Sequence, residues 1–246
     1  MSRSSPTVTN PANRFFEWSG GDGTLSYYDK EAKEKVNVPL PFEFLVLDEL
    51  ATLTGWSDEA QSNWHSNEVR SIAKEQLVAR TWDGGLSETG YYKEMTVARS
   101  KGAKYAKSIY IAYLTENGHV LGNLKLSGTG LTAWIEFSKG KHVQQGKCIL
   151  TGSVEGKKGR VTFQQPVFEY VHSDSDEDEI AIALDKELQI YLNQYLAAKT
   201  EDAAWPSDFV EDDVVDDAPS GDDLNQTLNE NVEKVWGKDS IPNNRA

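Results

Sequence analysis

The chain has 246 residues, of which 38% are hydrophobic and 26% are charged, so it can bury a substantial core. Its single cysteine cannot form an internal disulfide, and its four histidines do not follow the spacing of zinc ligands. No apolar stretch approaches the roughly 20 residues that a membrane-spanning helix needs. These features predict a cytoplasmic, globular protein with no cofactor, no structural metal and no membrane association.

The formal net charge of −14 is divided unevenly along the chain. Residues 1–88 carry about −6, residues 89–171 about +7, and residues 172–246 about −15. A basic middle segment followed by an acidic tail favours a polyanionic partner, with the tail as an internal competitor. Composition leaves open a simpler function for the tail, which is to keep the protein soluble.

The N-terminal half shows strand signals after a flexible arm expected at residues 1–13. Two short aromatic runs around the glycines of residues 20–23 predict a hairpin, and the apolar runs at 42–47 and 50–53 predict two more strands. Residues 55–74 are polar, which predicts a long surface excursion that contains at most a short helix. Two tryptophans, Trp56 and Trp64, stand out in this segment.

The second half of the predicted β domain, which spans residues 14–171, continues with short strands at regular intervals. Alternation or apolar runs indicate strands at 77–82, 90–97, 105–114, 119–126, 131–137, 147–154 and 160–170. The pair Asn117-Gly118 between two of them is the clearest hairpin signal in the chain. Short strands with glycine-rich turns predict a mainly β barrel or sandwich.

The pattern changes at His172. Carboxylates at 176–179 precede Ile180, Leu184, Leu188, Tyr191 and Tyr195, which recur at helical spacing, so residues 172–199 are predicted to contain an amphipathic helix. Residues 200–246 are rich in Asp, Asn, Ser and Pro, and we expect an acidic, largely disordered tail there.

The sequence contains no recognisable catalytic motif. It has no phosphate-binding loop, no nucleophile elbow and no paired metal-binding histidines, so we expect a protein that is not an enzyme. The carboxylates of residues 174–179 are typical of a helix start rather than a metal site. Cys148 lies in an alternating apolar segment and is expected in the core.

The informative feature is that lysines and arginines are interleaved with aromatic residues between positions 80 and 163. Single-strand binding needs cations along the phosphates and exposed rings that stack on bases, each stack contributing about 1 to 3 kcal/mol. The alternative is that many of these rings fill the core. The predicted nucleic-acid-binding residues are Arg80, Trp82, Tyr91, Tyr92, Lys93, Arg99, Lys101, Lys104, Tyr105, Lys107, Lys139, Lys141, Lys157, Lys158 and Arg160.

The tail supplies rings within a negative segment. Trp205 and Phe209 lie among acidic residues, and Trp236 lies further on, so these three are the predicted partner-docking residues. A flexible acidic segment with interspersed rings imitates a nucleic-acid strand, and it can compete for the basic surface at high effective concentration.

Three segments, at residues 10–15, 101–105 and 131–137, together with the acidic tail, resemble the single-stranded DNA-binding proteins of tailed bacteriophages and related mobile elements. The resemblance covers roughly residues 10–171 and the character of the tail. It implies an OB-fold-like small barrel with extra strands and loops, single-stranded DNA as the ligand, and a function in replication or recombination in the host cell cytoplasm.

The resemblance also implies that replication or recombination proteins dock on the acidic tail. Many such proteins end in an aromatic or apolar residue, whereas this sequence ends in Asn244-Arg245-Ala246, so the internal rings of the tail are the better docking residues. The sequence leaves a homo-oligomer open. The rival interpretation is a structural or assembly protein, such as a virion or tail component, whose β domain makes protein contacts.

Overall fold

The structure is a computed structural model that describes residues 9–197. This part of the chain is mainly β, as predicted, and it ends in the predicted helix. The strands are β1 Arg14–Ser19, β2 Thr24–Asp29, β3 Glu34–Val38, β4 Phe42–Ser57, β5 Ser62–Ser66, β6 Leu77–Thr81, β7 Ser87–Gly90, β8 Lys104–Thr115, β9 Gly118–Ser127, β10 Gly146–Lys158 and β11 Val161–His172. The helices are α1 Thr96–Ser100, α2 Gly128–Ser138 and α3 Ser175–Ala197, with a 3-10 turn at Val143–Gln145.

The long strand β4 organises the sheet because it is paired along both edges. Leu45 lies opposite Ala112 of β8 and also opposite Lys147 of β10. Thr54 likewise lies between Lys104 of β8 and His65 of β5. One edge of β4 is therefore occupied by β8, and the other is shared by β10 near its start and by β5 near its end.

Six elements follow one another in the order of an OB-like barrel: β4, β8, β9, α2, β10 and β11. The first strand of this set, β4, lies between the second, β8, and the fourth, β10. The remaining strands are additions: β1–β3 precede the barrel, and β5–β7 with α1 are inserted between β4 and β8. The free edge of β9 pairs in parallel with β1 instead of with β11. The Gln164 N–H of β11 donates to the Gly20 carbonyl at 2.7 Å, which links β11 to the turn after β1.

The core lies on the inner face of the barrel, with α2 packed against β11. Trp134 of α2 is fully buried and contacts Phe168 at 5.2 Å and Phe44 at 6.2 Å between ring centroids. Burial of large rings at about 25 cal/mol per Å² of apolar surface is the main stabilising contribution. Cys148 is also buried here, as its alternating apolar surroundings predict.

Helix α3 lies across the outer face of the barrel. Asp174 accepts hydrogen bonds from the backbone N–H groups of Asp176 and Glu177, which satisfies the free donors at the helix start. The helix buries three of its side chains against the outer face of β4, β8 and β9. The shared cluster contains Leu188, Tyr191 and Leu192 of α3 with Leu50, Tyr110 and Leu121 of the sheet.

Several local predictions are wrong. Residues 131–137 belong to helix α2 rather than to a strand, and residues 42–57 form one strand that is interrupted only by a bulge near Leu47. Residues 90–97 form turns and the start of α1. The polar excursion at 55–74 contains the end of β4, strand β5 and a bridge between Val69 and Ala51, and no helix.

The described residues include the last part of the predicted N-terminal arm but not the predicted tail. Asn10, within the arm, is buried and donates a hydrogen bond to the Tyr110 hydroxyl at 3.0 Å, so residues 9–13 pack on the domain instead of extending from it. The predicted tail at 200–246, including Trp205, Phe209 and Trp236, lies outside the described residues.

Candidate nucleic-acid interface

Three of the predicted nucleic-acid-binding residues have their side chains in the interior. Tyr92 and Tyr105 are each 8% exposed and belong to the main core, so the prediction that they stack on bases is wrong. Lys107 forms an ion pair with Glu49 on the inner face, and each side chain is only 17% exposed. Strand β8 is buried on both faces, so the alternation of its residues did not indicate which side chains point into the core.

The other predicted residues come from four parts of the chain. Arg80 and Trp82 lie on or directly after β6; Tyr91, Lys93, Arg99, Lys101 and Lys104 lie in or next to the segment between β7 and β8; Lys139 and Lys141 follow α2; Lys157, Lys158 and Arg160 lie at the β10–β11 turn. Some of their charges are already engaged. Lys101 pairs with Glu59 at 2.8 Å, Arg99 lies over the Tyr92 ring, and Lys141 lies over the Phe137 ring.

The surface that OB-folds use for oligonucleotides, the outer face of the second and third barrel strands, is largely covered here. Tyr110 of β8 is fully buried beneath α3, and Leu121 of β9 is 4% exposed in the same cluster. Ser108 and Asn123 are also buried, and the Asn123 amide donates to the Ser108 hydroxyl at 2.6 Å. Bases therefore cannot stack on an aromatic residue at the centre of this face while α3 is in place.

A neighbouring part of the same outer face carries both rings and cations. Lys104, Thr54, His65 and Arg80 lie directly opposite one another on β8, β4, β5 and β6, so their side chains point to one side of the sheet. Strands are about 4.8 Å apart, which separates the Lys104 and Arg80 positions by about 14 Å. The pairs Trp56 with Asn63 and Asn63 with Trp82 form the next row.

We call this surface the β5 face and define it by six residues, none of which is fully buried: Trp56, Asn63, His65, Arg80, Trp82 and Lys104. The rings of His65 and Trp82 stack with centroids 4.0 Å apart and planes 30° from parallel. Burial, reinforced by the positive charges of Lys125 and Arg80, lowers the pKa of His65 to about 4. The imidazole is therefore neutral at pH 7, and Arg80 and Lys104 supply the positive charge of the face.

Side-chain hydrogen bonds fix the hairpin that carries this face. The side-chain amide oxygen Oδ1 of Asn67 accepts a hydrogen bond from the Val78 N–H at 2.7 Å, which aligns the end of β5 with the start of β6. The buried Trp64 donates its indole N–H to the Lys101 carbonyl at 2.8 Å and ties β5 to the segment before β8. Gly102 has φ +98, and a Cβ there would overlap the Trp56 carbonyl oxygen, so only glycine permits this close approach.

Comparison with models of known protein families, with curated proteins and with solved structures finds no match to this chain. Among residues 9–197, no three His, Cys, Asp or Glu side chains are grouped so that they could hold a metal ion. None of the helices in this same part of the chain is both long and apolar enough to span a membrane.

Sequence reasoning found Arg80, Trp82 and Lys104 but missed Trp56, Asn63 and His65 as members of the same surface. The sequence did contain a signal for Trp56, because every second residue of a strand shares a face and Thr52, Thr54 and Trp56 therefore lie together on the outer face of β4. The position of His65 and Asn63 depended on the β4–β5 pairing, which the polar composition of residues 55–74 did not indicate.

Proposed function

We propose that this protein is a non-catalytic, single-stranded DNA-binding protein that contacts the strand through the β5 face. The observation that carries the proposal is the stacked pair of His65 and Trp82, flanked on the same surface by Trp56 and by the cations Arg80 and Lys104. Rings that stack on bases together with cations that contact phosphates are the two components of sequence-independent strand binding. The OB-like connectivity also supports the proposal.

Charge gives the proposal its second support. The basic segment at 89–171 lies within the described domain, whereas residues 172–246 carry about −15. In the proposed function the acidic tail competes with DNA for the domain and docks replication or recombination proteins when it is released.

The test is fluorescence anisotropy of labelled oligo-dT with the full-length protein and with a variant that lacks residues 200–246. Affinity should fall steeply with salt because phosphate contacts release counterions, and the shortened protein should bind more tightly because the competitor is gone. A shortened, folded protein that ignores oligo-dT at low salt would contradict the proposal.

Matched charge reversals locate the binding surface. The double variant R80E with K104E changes the net charge by the same amount as the double variant K139E with K141E. The two double variants therefore differ only in where on the protein the charges are reversed. The first pair should lower the affinity strongly, and the second pair, which follows α2, should lower it much less. Equal losses in the two double variants would show that the β5 face is not the binding surface.

Ring removal tests stacking separately from charge. W82A should weaken oligo-dT binding by about 1 to 3 kcal/mol if one base stacks on this indole. Y91A removes another exposed ring, which lies between β7 and α1, and serves as the control. Circular dichroism should show that both variants keep the native fold.

A further inference from the structure

Glu68 connects three parts of the fold that are distant in sequence. Its carboxylate accepts a hydrogen bond from the Tyr110 hydroxyl of β8 at 2.7 Å, and the same hydroxyl accepts from Asn10 at 3.0 Å. Its backbone N–H donates to the Tyr195 hydroxyl near the end of α3 at 2.8 Å. The residue therefore lies where the N-terminal segment, the sheet and the C-terminal end of α3 meet.

The surroundings compensate a negative charge at this position poorly. Burial is the largest influence on the pKa of Glu68 and raises it above its ordinary value of 4.5, against the hydrogen bonds from Ser108 and Tyr110. Lys125 of β9 favours the charged form, but it is already paired with Glu17 at 3.1 Å.

The other charged or titratable groups near Glu68 do not offset its charge. Asp48 of β4 disfavours the charged form, and its own partner is Arg70. The phenols of Tyr191 and Tyr195 face the carboxyl from α3 and stay neutral, because burial raises the pKa of each. As far as it is described, to Ala197, the last turn of α3 contains no basic residue that would compensate the negative end of the helix.

Opening of the helix end changes these conditions. When the last turns of α3 leave the sheet, water reaches the Glu68 carboxyl and its pKa returns towards 4.5. The docked state then binds the proton more tightly than the open state does. Loss of the proton at higher pH must therefore favour opening, by the linkage between protonation and conformation.

We propose that Glu68 is a proton-dependent anchor for the C-terminal half of α3: the helix end, held through the Glu68 backbone N–H and Tyr195, packs firmly while the adjacent carboxyl is neutral and loosens when that carboxyl is ionised. Because α3 covers the outer face of β4, β8 and β9, the proton on Glu68 sets how firmly that face is covered. The inference concerns the described fold and does not depend on DNA binding.

Hydrogen exchange measured by mass spectrometry tests the anchor in the full-length protein. The protection of peptides from residues 188–197, corrected for the intrinsic pH dependence of exchange and measured from pH 4 to 8, should fall as pH rises above 4.5, the ordinary pKa of the carboxyl. The fall should be at most about tenfold per pH unit, because a single proton is linked, and it should level off once Glu68 is ionised. E68Q should keep the high protection of the acidic state across the range.

The control is E187Q, which removes an exposed carboxylate of the same helix and should follow the wild-type profile. Y195F removes the hydrogen bond to Glu68 and should lower the protection at every pH while keeping the pH dependence. A wild-type profile that is flat from pH 4 to 8 would overturn the proposal. So would an E68Q profile that falls as the wild type does.

Discussion

Replacement of Lys107 by methionine tests whether this residue is a structural group or a DNA ligand. Its ammonium pairs with Glu49 on the inner face, and the two side chains are each 17% exposed. Glu49 also accepts the Trp134 indole N–H at 3.1 Å, so its carboxylate is fixed in place. K107M leaves that carboxylate buried without its cation, which costs about 3 to 5 kcal/mol of folding free energy.

The assay is urea unfolding followed by tryptophan fluorescence, with an oligo-dT titration of the same sample. At a slope of about 2 kcal/mol per molar urea, K107M should lower the midpoint by about 1.5 to 2.5 M. The double variant K107M with E49Q removes the stranded charge and should recover much of the loss. The affinity of the folded K107M for oligo-dT should stay close to that of the wild type.

Two results would refute this reasoning. One is a loss of stability below about 1 kcal/mol, which is the range of an exposed ion pair. The other is a loss of affinity as large as that of K104E with no loss of stability, because that outcome would make Lys107 a phosphate contact.

Four further predictions concern the fold. L192A removes a fully buried side chain of α3 that packs on the sheet, and it should cost about 2 to 5 kcal/mol in urea unfolding. G102A should destabilise the domain, because this position has φ +98 and no space for a Cβ; melting temperature is the measure. Burial raises the pKa of the Cys148 thiol to about 12, so a thiol reagent at pH 8 should label it only after unfolding. Because the pKa of His65 is lowered in the folded state, the folded protein binds a proton at this imidazole more weakly than the unfolded chain does. The free energy of unfolding should therefore fall as pH drops from 6.5 towards about 4, and this fall should be smaller in H65F.

The strands and the last helix were predictable where one pattern dominated. Alternation on both sides of Asn117-Gly118 identified the β8–β9 hairpin, in which Thr115 lies opposite Gly118. The spacing of Leu184, Leu188 and Tyr195 identified α3. Both elements have a local signal that tertiary contacts reinforce.

Helix α2 was mispredicted because its apolar residues satisfy both periods. Leu131, Trp134, Ile135 and Phe137 suit a strand by composition and a helix by spacing. The contacts of Trp134 with Phe44 and Phe168 decide the outcome, and they join residues that are far apart in sequence. No window of a few residues contains that information.

The candidate site was only partly predictable for a related reason. Composition located the cations but not the face to which each one points. Lys104 and Lys107 lie on opposite faces of β8. Further along the same strand, every residue from 108 to 113 is buried, because the core covers one face and α3 covers the other. Alternation of polar and apolar residues, which would normally distinguish the two faces, is lost in such a strand.

The double pairing of β4 has a consequence for synthesis of the protein. Its partners extend from β5, which ends at Ser66, to β10, which ends at Lys158, so the strand has unsatisfied backbone groups until that late segment leaves the ribosome. At about 5 to 20 residues per second, the hundred residues between β4 and the end of β10 need about 5 to 20 s of translation. Part of one edge of this apolar strand stays unpaired throughout that time, so β4 is a segment to which chaperones can bind.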